Sequence, residues 1–237
     1  FFRLGDFYEM FFEDAKTAAK ELDLVLTGRD CGLSERAPMC GVPYHAVDNY
    51  IAKLIEKGYK VAVCEQMEDP TLAKGLVERD VIRIITPGTV IEDRMLEEGQ
   101  NSYIASISIG ESIIGLAYAD VSTGEFYLLQ LDGKQPAVAL LDELERIRPR
   151  EIIADPSLFL QQLLARQISS AYYLEQYGAS AFLPESARDI LKRHFNVNSL
   201  AGFGADDAPY AVSAAGALMR YLDETQKNAL SHINGMR

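Results

Sequence analysis

The stretch PGTVIEDRMLEEGQN, residues 87–101, interrupts the chain. A Pro-Gly pair opens it, acids crowd it, and no apolar residue recurs at the spacing of a helix or a strand. Residues 87–100 therefore read as a connecting segment. On both sides the pattern is that of buried structure. A chain broken in this way must build two cores, and 237 residues suffice for two at the usual ~100–200 per domain. The expected division is a domain over 1–86, a linker over 87–100, a second domain over 101–226, and the opening of a further, truncated region at 227–237.

Residues 1–12 are aromatic-rich and broken by Gly5-Asp6, which predicts two short extended segments around a turn. EDAKTAAKEL, residues 13–22, puts acids first and spaces Ala15, Ala18, Ala19 and Leu22 at helical intervals. DLVLTGR (23–29) reads as a strand, and CGLSERAPMCGVP (31–43) as an irregular loop because of its glycines and prolines. Residues 44–57 form an amphipathic helix with Val47, Tyr50, Ile51, Leu54 and Ile55 on one face and Gly58 as its stop. KVAVCEQ (60–66) and DVIRIIT (80–86) are strands that complete a small mixed α/β domain.

Beyond the linker, residues 102–109, 113–120 and 125–131 are three apolar or alternating runs separated by Gly-Glu-Ser and Ser-Thr-Gly, the pattern of an antiparallel meander. A helix over 135–147, a short strand over 151–154, a helix over 157–165 and a strand over 170–174 follow, as in a layered α/β sheet. Residues 186–195 and 209–225 are further helices.

Net charge narrows the class. Lys and Arg number 23 against 35 Asp and Glu, a balance of −12. That argues against a protein that coats duplex nucleic acid, because such affinity comes from cations on phosphates. Cys31, Cys40 and Cys64 are odd in number with no close pair, which points to a reducing compartment, the cytoplasm, rather than a disulfide framework. No apolar run approaches the ~18–20 residues of a membrane span. The chain does not open on Met, and a piece cut from a longer protein is the expectation.

Candidate chemistry gathers at Phe7-Tyr8-Glu9. In an extended segment Phe7 and Glu9 project to one face and Tyr8 to the other. An aromatic ring beside a carboxyl can probe DNA, the ring entering a base step from the minor groove and the carboxyl reading a base edge. Taken on spacing alone, the pair reads as a core aromatic and a solvated acid.

The blocks LGDFYEMFFEDAK, APMCGVPYHAVDNYIAKLIEKGYKVAVCEQMEDP and VERDVIRIITPGT resemble, in order and spacing, the N-terminal part of the MutS family of DNA mismatch-repair proteins. YADVSTGEFYL and GFGADDAPYAVSAAGALMRYLDETQ resemble that family's connector domain. The resemblance implies a mixed α/β mismatch-recognition domain followed by a ribonuclease-H-like α/β connector. It also implies that Phe7 stacks on a mispaired base at a kink and that Glu9 hydrogen-bonds that base. A purine N7 only accepts, so Glu9 would have to bring the proton, whereas its charged form is repelled by an intact duplex. Arg29 and His45, with the loop 37–44, match segments near the DNA, and Arg29 reads equally as a phosphate contact or a plain surface cation. Met39 reads either as packing beneath Phe7 or as a gap-filler in a Pro/Gly loop.

Further implications of the resemblance are mismatched duplex DNA as partner, a MutL-type protein docking on the connector, a homodimeric parent, and a bacterial-type, nucleoid-associated cytoplasmic protein. ATP and Mg would belong to an ATPase elsewhere in the parent. The sequence has no G-x-x-x-x-G-K-[ST] phosphate loop, so binding rather than catalysis is expected, with no cofactor in this piece. Two alternatives remain open: a docking scaffold for MutL without autonomous DNA binding, and a metal-dependent nuclease built on Asp120, Glu125 and Asp155. Cys31, Cys40, His45 and Cys64 have atoms suited to zinc but lack its spacing.

Overall fold

The computed structural model describes residues 1–32, 34–68, 75, 77–89, 102–227 and 230–237. The chain forms two compact units, Phe1–Pro87 and Gly88–Arg237. Residues 90–100 of the expected linker lie outside the described residues. Its opening does not: Gly88 and Thr89 are buried, and the Gly88 N–H donates to Glu151 Oε2 at 3.0 Å, inside the second unit.

The first unit is built on a six-stranded sheet of β1 (Phe2–Leu4), β2 (Phe7–Phe11), β3 (Thr27–Arg29), β4 (Ala37–Pro43), β5 (Val61–Gln66) and β6 (Arg79–Ile85), in the order β3-β4-β2-β1-β5-β6. β1 and β2 are a hairpin with Leu4 opposite Phe7, and Gly5 takes a φ of 60° in its two-residue turn, where glycine meets no steric cost. Helix α1 (Phe12–Leu22) follows β2 with no residue between them, and Phe12 sits at φ 53°. Acids in the first turn and Lys20 in the last complement the helix dipole, and Asp23 ends the helix in the left-handed region, its N–H bonded to Ala19. α1 buries Ala15, Ala18 and Leu22, while α2 (Val47–Glu56), entered through a tight turn at Tyr44–Ala46, buries Ile51, Leu54 and Ile55.

Two elements of this unit differ from expectation. The apolar run 23–29 supplies a strand only at Thr27–Arg29, because Asp23 still caps α1 and Val25 and Leu26 are exposed. The segment expected to be an irregular loop contains β4, seven residues paired on both sides, with β2 and with β3. Its prolines stand second and last in the strand, where a missing N–H and a fixed φ disturb the ladder least.

The second unit carries a five-stranded sheet of β7 (Tyr103–Ile109), β8 (Ile114–Asp120), β9 (Glu125–Leu131), β10 (Glu151–Ala154) and β11 (Leu174–Gln176), ordered β11-β10-β7-β8-β9. The first three form the antiparallel meander, and β10 and β11 add in parallel, giving the mixed ribonuclease-H-like arrangement. Both faces are covered, so strand side chains are buried on each side. Ile104, Ala117, Ala119 and Ile153 meet α6 (Pro184–Phe195) and α7 (Pro209–Gln226). Ala105, Ile107, Leu116 and Ile152 meet α3 (Pro136–Ile147), α4 (Pro156–Leu160) and α5 (Gln162–Ser169). Each fully buried Ile or Leu contributes about 1.5–3 kcal/mol.

The single helix expected over 157–165 is broken at Gln161 into α4 and α5. The strand expected at 170–174 begins later because Ser169 and Ser170 bond back to α5 carbonyls. Residues 230–237, expected to open a further region, pack on this unit: Leu230, Ile233 and Met236 are buried, and Arg237 exchanges backbone hydrogen bonds with Phe126 and Leu128.

Candidate nucleic-acid interface

The period-two geometry of β2 places the candidate pair. Tyr8 and Met10 are buried, opposite Val42 and Cys40, and the Cys40 thiol donates to the Ala15 carbonyl at 3.4 Å. Phe7, Glu9 and Phe11 therefore point to the opposite face. Phe7 is 48% exposed, an unusual position for a phenylalanine on a strand with neighbours on both sides. Leu4 and Pro43 flank it across the sheet, so its backbone is held while its ring is left uncovered.

Glu9 lies between Phe2 and Gly41 on the adjacent strands. A Cβ at Gly41 would stand 3.4 Å from Glu9 Cγ, so the missing side chain gives the carboxylate room to lean across β4. There it meets Arg29, whose Nη1 donates to Glu9 Oε2 at 2.8 Å. The Arg29 side chain is 51% exposed and that of Glu9 18%. The sequence offers Arg29 as a phosphate contact or a plain surface cation; the structure places it against the acid of the candidate site. The signal for this was a strand order that brings β3 within one strand of β2, which spacing along the chain does not carry.

Met39 departs from its expected place. It is opposite Phe11 and Thr27, while the residue across from Phe7 is Pro43, four positions or about 13 Å further along β4. His45 lies on the tight turn after β4, its ring edge-on to Tyr44 at 5.7 Å. The Tyr44 N–H donates to Asp6 at 2.9 Å, which ties this turn to the tip of the β1–β2 hairpin. Arg3 stacks its guanidinium 3.9 Å from the centre of the Tyr44 ring, a contact the sequence did not reveal. Beneath the site Tyr8 donates to Glu65, and burial, reinforced by that carboxylate, pushes the phenol up to about 12.

The carboxylates offered for a nuclease each have other work. Asp120 is buried and accepts from the Ser102 and Ser122 backbone N–H groups and the Ser122 hydroxyl, fixing the β8–β9 turn. Asp155 caps α4 through Ser157, and Glu125 accepts from Tyr103. Among the described residues no three His, Cys, Asp or Glu side chains gather as metal ligands would, and the three cysteines are free, with Cys40 and Cys64 buried. No described helix is long and apolar enough to cross a membrane.

Comparison with known proteins agrees with this architecture. Residues 1–94 match the family of MutS domain I, and residues 102–234 that of MutS domain II. The DNA mismatch repair protein MutS of Halothermothrix orenii is 51% identical over 234 residues, covering 99% of this chain and 26% of the relative. Those of Ruminiclostridium cellulolyticum and Methanococcoides burtonii are 49% and 46% identical, covering 98% and 99% of this chain and 27% of each relative. The chain thus spans about a quarter of the length of these relatives. Matched to domain I and then domain II, in the same order as its two units, the chain belongs to the MutS family.

Proposed function

We propose that this chain supplies the mismatch probe and the connector of a mismatch-repair protein, with Phe7 as the wedge and Glu9 as the group that bonds the displaced base. One observation carries the reading: a phenylalanine ring held half-exposed on a paired strand, with a carboxylate two residues away on the same face. Entering a base step costs a few kcal/mol of unstacking, least where pairing is already defective, so a wedge reads deformability rather than sequence. Glu9 adds discrimination, because a base that has left the stack gives its carboxyl a partner that a stacked base withholds. Arg29 and the turn that carries His45 flank the probe. The net charge of −12 fits a piece that supplies specificity while other segments of the parent supply grip on phosphate.

In the parent, a cytoplasmic homodimer, the second unit links recognition to an ATPase that binds ATP and Mg and to a MutL-type partner. A second reading, in which the chain acts only as a docking scaffold for that partner, has one observation in its favour. Arg188, Arg193 and Arg220 line a groove beside the exposed Leu183, and none of them makes an ion pair among the described residues.

The deciding measurement is the affinity of the full-length protein for heteroduplex and for homoduplex of the same sequence, at one fixed salt concentration, with and without Phe7→Ala. The probe reading requires the variant to lose its preference while keeping homoduplex affinity. A preference that survives would make Phe7 a structural residue and leave the scaffold reading standing.

A further inference from the structure

We propose that Arg29 is a mask on Glu9: it neutralises the carboxylate while the protein meets intact duplex, and releases it where a disturbed base pair offers Glu9 a new partner. This rests on the recognition reading above and assigns Arg29 a role within it.

The geometry carries the inference. Arg29 is the only polar partner that Glu9 has among the described residues, through a single N–O contact of 2.8 Å. An ion pair this exposed on its cationic side is weakly held, so it opens at small cost. Nothing on β4 competes for the carboxylate, because Gly41 stands opposite it. Arg29 ends β3, a three-residue strand at the edge of the sheet, so its half-exposed guanidinium can swing away from Glu9 into solvent without disturbing the interior.

On intact duplex the bases are stacked and offer Glu9 nothing in exchange. A bare carboxylate held toward the backbone would repel the phosphates, whereas a paired one presents no net charge. Where the base can leave the stack, Glu9 passes to the base and Arg29 turns out to solvent. Arg29 then governs tolerance of normal duplex during search, and Glu9 governs the preference for a mismatch.

The test is a double-mutant cycle on the full-length protein with Arg29→Gln, Arg29→Lys, Glu9→Gln and the Arg29→Gln/Glu9→Gln pair, each with thermal unfolding to verify folding. Affinities are read for homoduplex and heteroduplex at one fixed salt concentration. Arg29→Gln is expected to weaken homoduplex binding about three- to fivefold and heteroduplex binding much less, so that mismatch preference rises. Arg29→Lys keeps a cation within reach and stays near wild type. With Glu9→Gln already in place, Arg29→Gln changes both duplexes by the same factor. An equal loss on both duplexes, whether or not Glu9 is present, would reduce Arg29 to an ordinary phosphate contact and overturn the mask, and so would a fall in preference. Failure of the recognition reading shows elsewhere, as preference retained in Phe7→Ala, while a Glu9-dependent effect of Arg29 on homoduplex is read without any mismatch.

Discussion

Replacing Glu151 tests whether a buried carboxylate fastens the start of the second unit to its longest helix. Glu151 is fully buried at the first position of β10, with the Tyr221 hydroxyl donating to Oε1 at 2.6 Å and the Gly88 N–H to Oε2 at 3.0 Å. Hydrogen bonds to a charged acceptor contribute about 1.5–3 kcal/mol each. Gln can preserve both contacts in neutral form, its oxygen on the Gly88 N–H and its amide on the hydroxyl oxygen of Tyr221, which can rotate to accept. Glu151→Gln is therefore expected to cost about 1–3 kcal/mol, the difference between charged and neutral bonds. Glu151→Leu takes the carboxylate acceptor away from two buried donors and is expected to cost about 2–6 kcal/mol. Because two units need not unfold together, the assay pairs urea unfolding with hydrogen exchange at the Gly88 amide. Faster exchange at Gly88 in both variants, with Leu worse than Gln, is the expected result. If Glu151→Leu shifts stability by less than about 0.5 kcal/mol, the range of an ordinary surface substitution, the carboxylate fastens nothing and the reasoning is wrong.

The remaining expectations concern one residue in each unit. Tyr8, raised to about 12 by burial and by Glu65, favours the folded state while protonated; that contribution is complete below its ordinary value near 10 and is lost as pH rises through about 12. Subtracting the ultraviolet phenolate titration of Tyr8→Phe from that of the wild type should leave a step near pH 12, and a step near pH 10 would contradict the burial argument. Gly115→Ala in β8 would drive a methyl into the Tyr210 backbone at the start of α7, so a loss of about 1–3 kcal/mol or more is expected in thermal unfolding, and an unchanged midpoint would show that this contact is loose.

Elements whose signal is local were legible in the sequence. The helices α1, α2, α3, α6 and α7 and the β7–β9 meander follow from apolar periodicity, acids at helix starts and glycine turns, all of which act within a few residues. The facing of Phe7 and Glu9 followed from period two once the Gly5-Asp6 turn was recognised. β4 was hidden because Pro38 and Pro43 carry a local preference against strands, which pairing with β2 and β3 overrides. Met39 was misplaced for a related reason, since its neighbours depend on the register of β4 against β2. The Arg29–Glu9 pair was invisible because it joins residues 20 apart across an intervening strand. Side-chain partners of this kind are set by strand order, which no window along the chain contains.

The junction of β2 and α1 has no slack. Phe11 closes the strand, Phe12 opens the helix, and the turn between them is made by one backbone in the left-handed region. One residue more at this point would rotate α1 by about 100° and carry Ala15, Ala18 and Leu22 off the sheet, and one fewer would do the same in the opposite sense. Chain length from Phe7 to Leu22 is thus under a constraint separate from composition: single-residue insertions and deletions should be far less tolerated here than substitutions on the same helix's outer face. The distance from the exposed ring to the helix behind it is set by a count of residues rather than by any side chain.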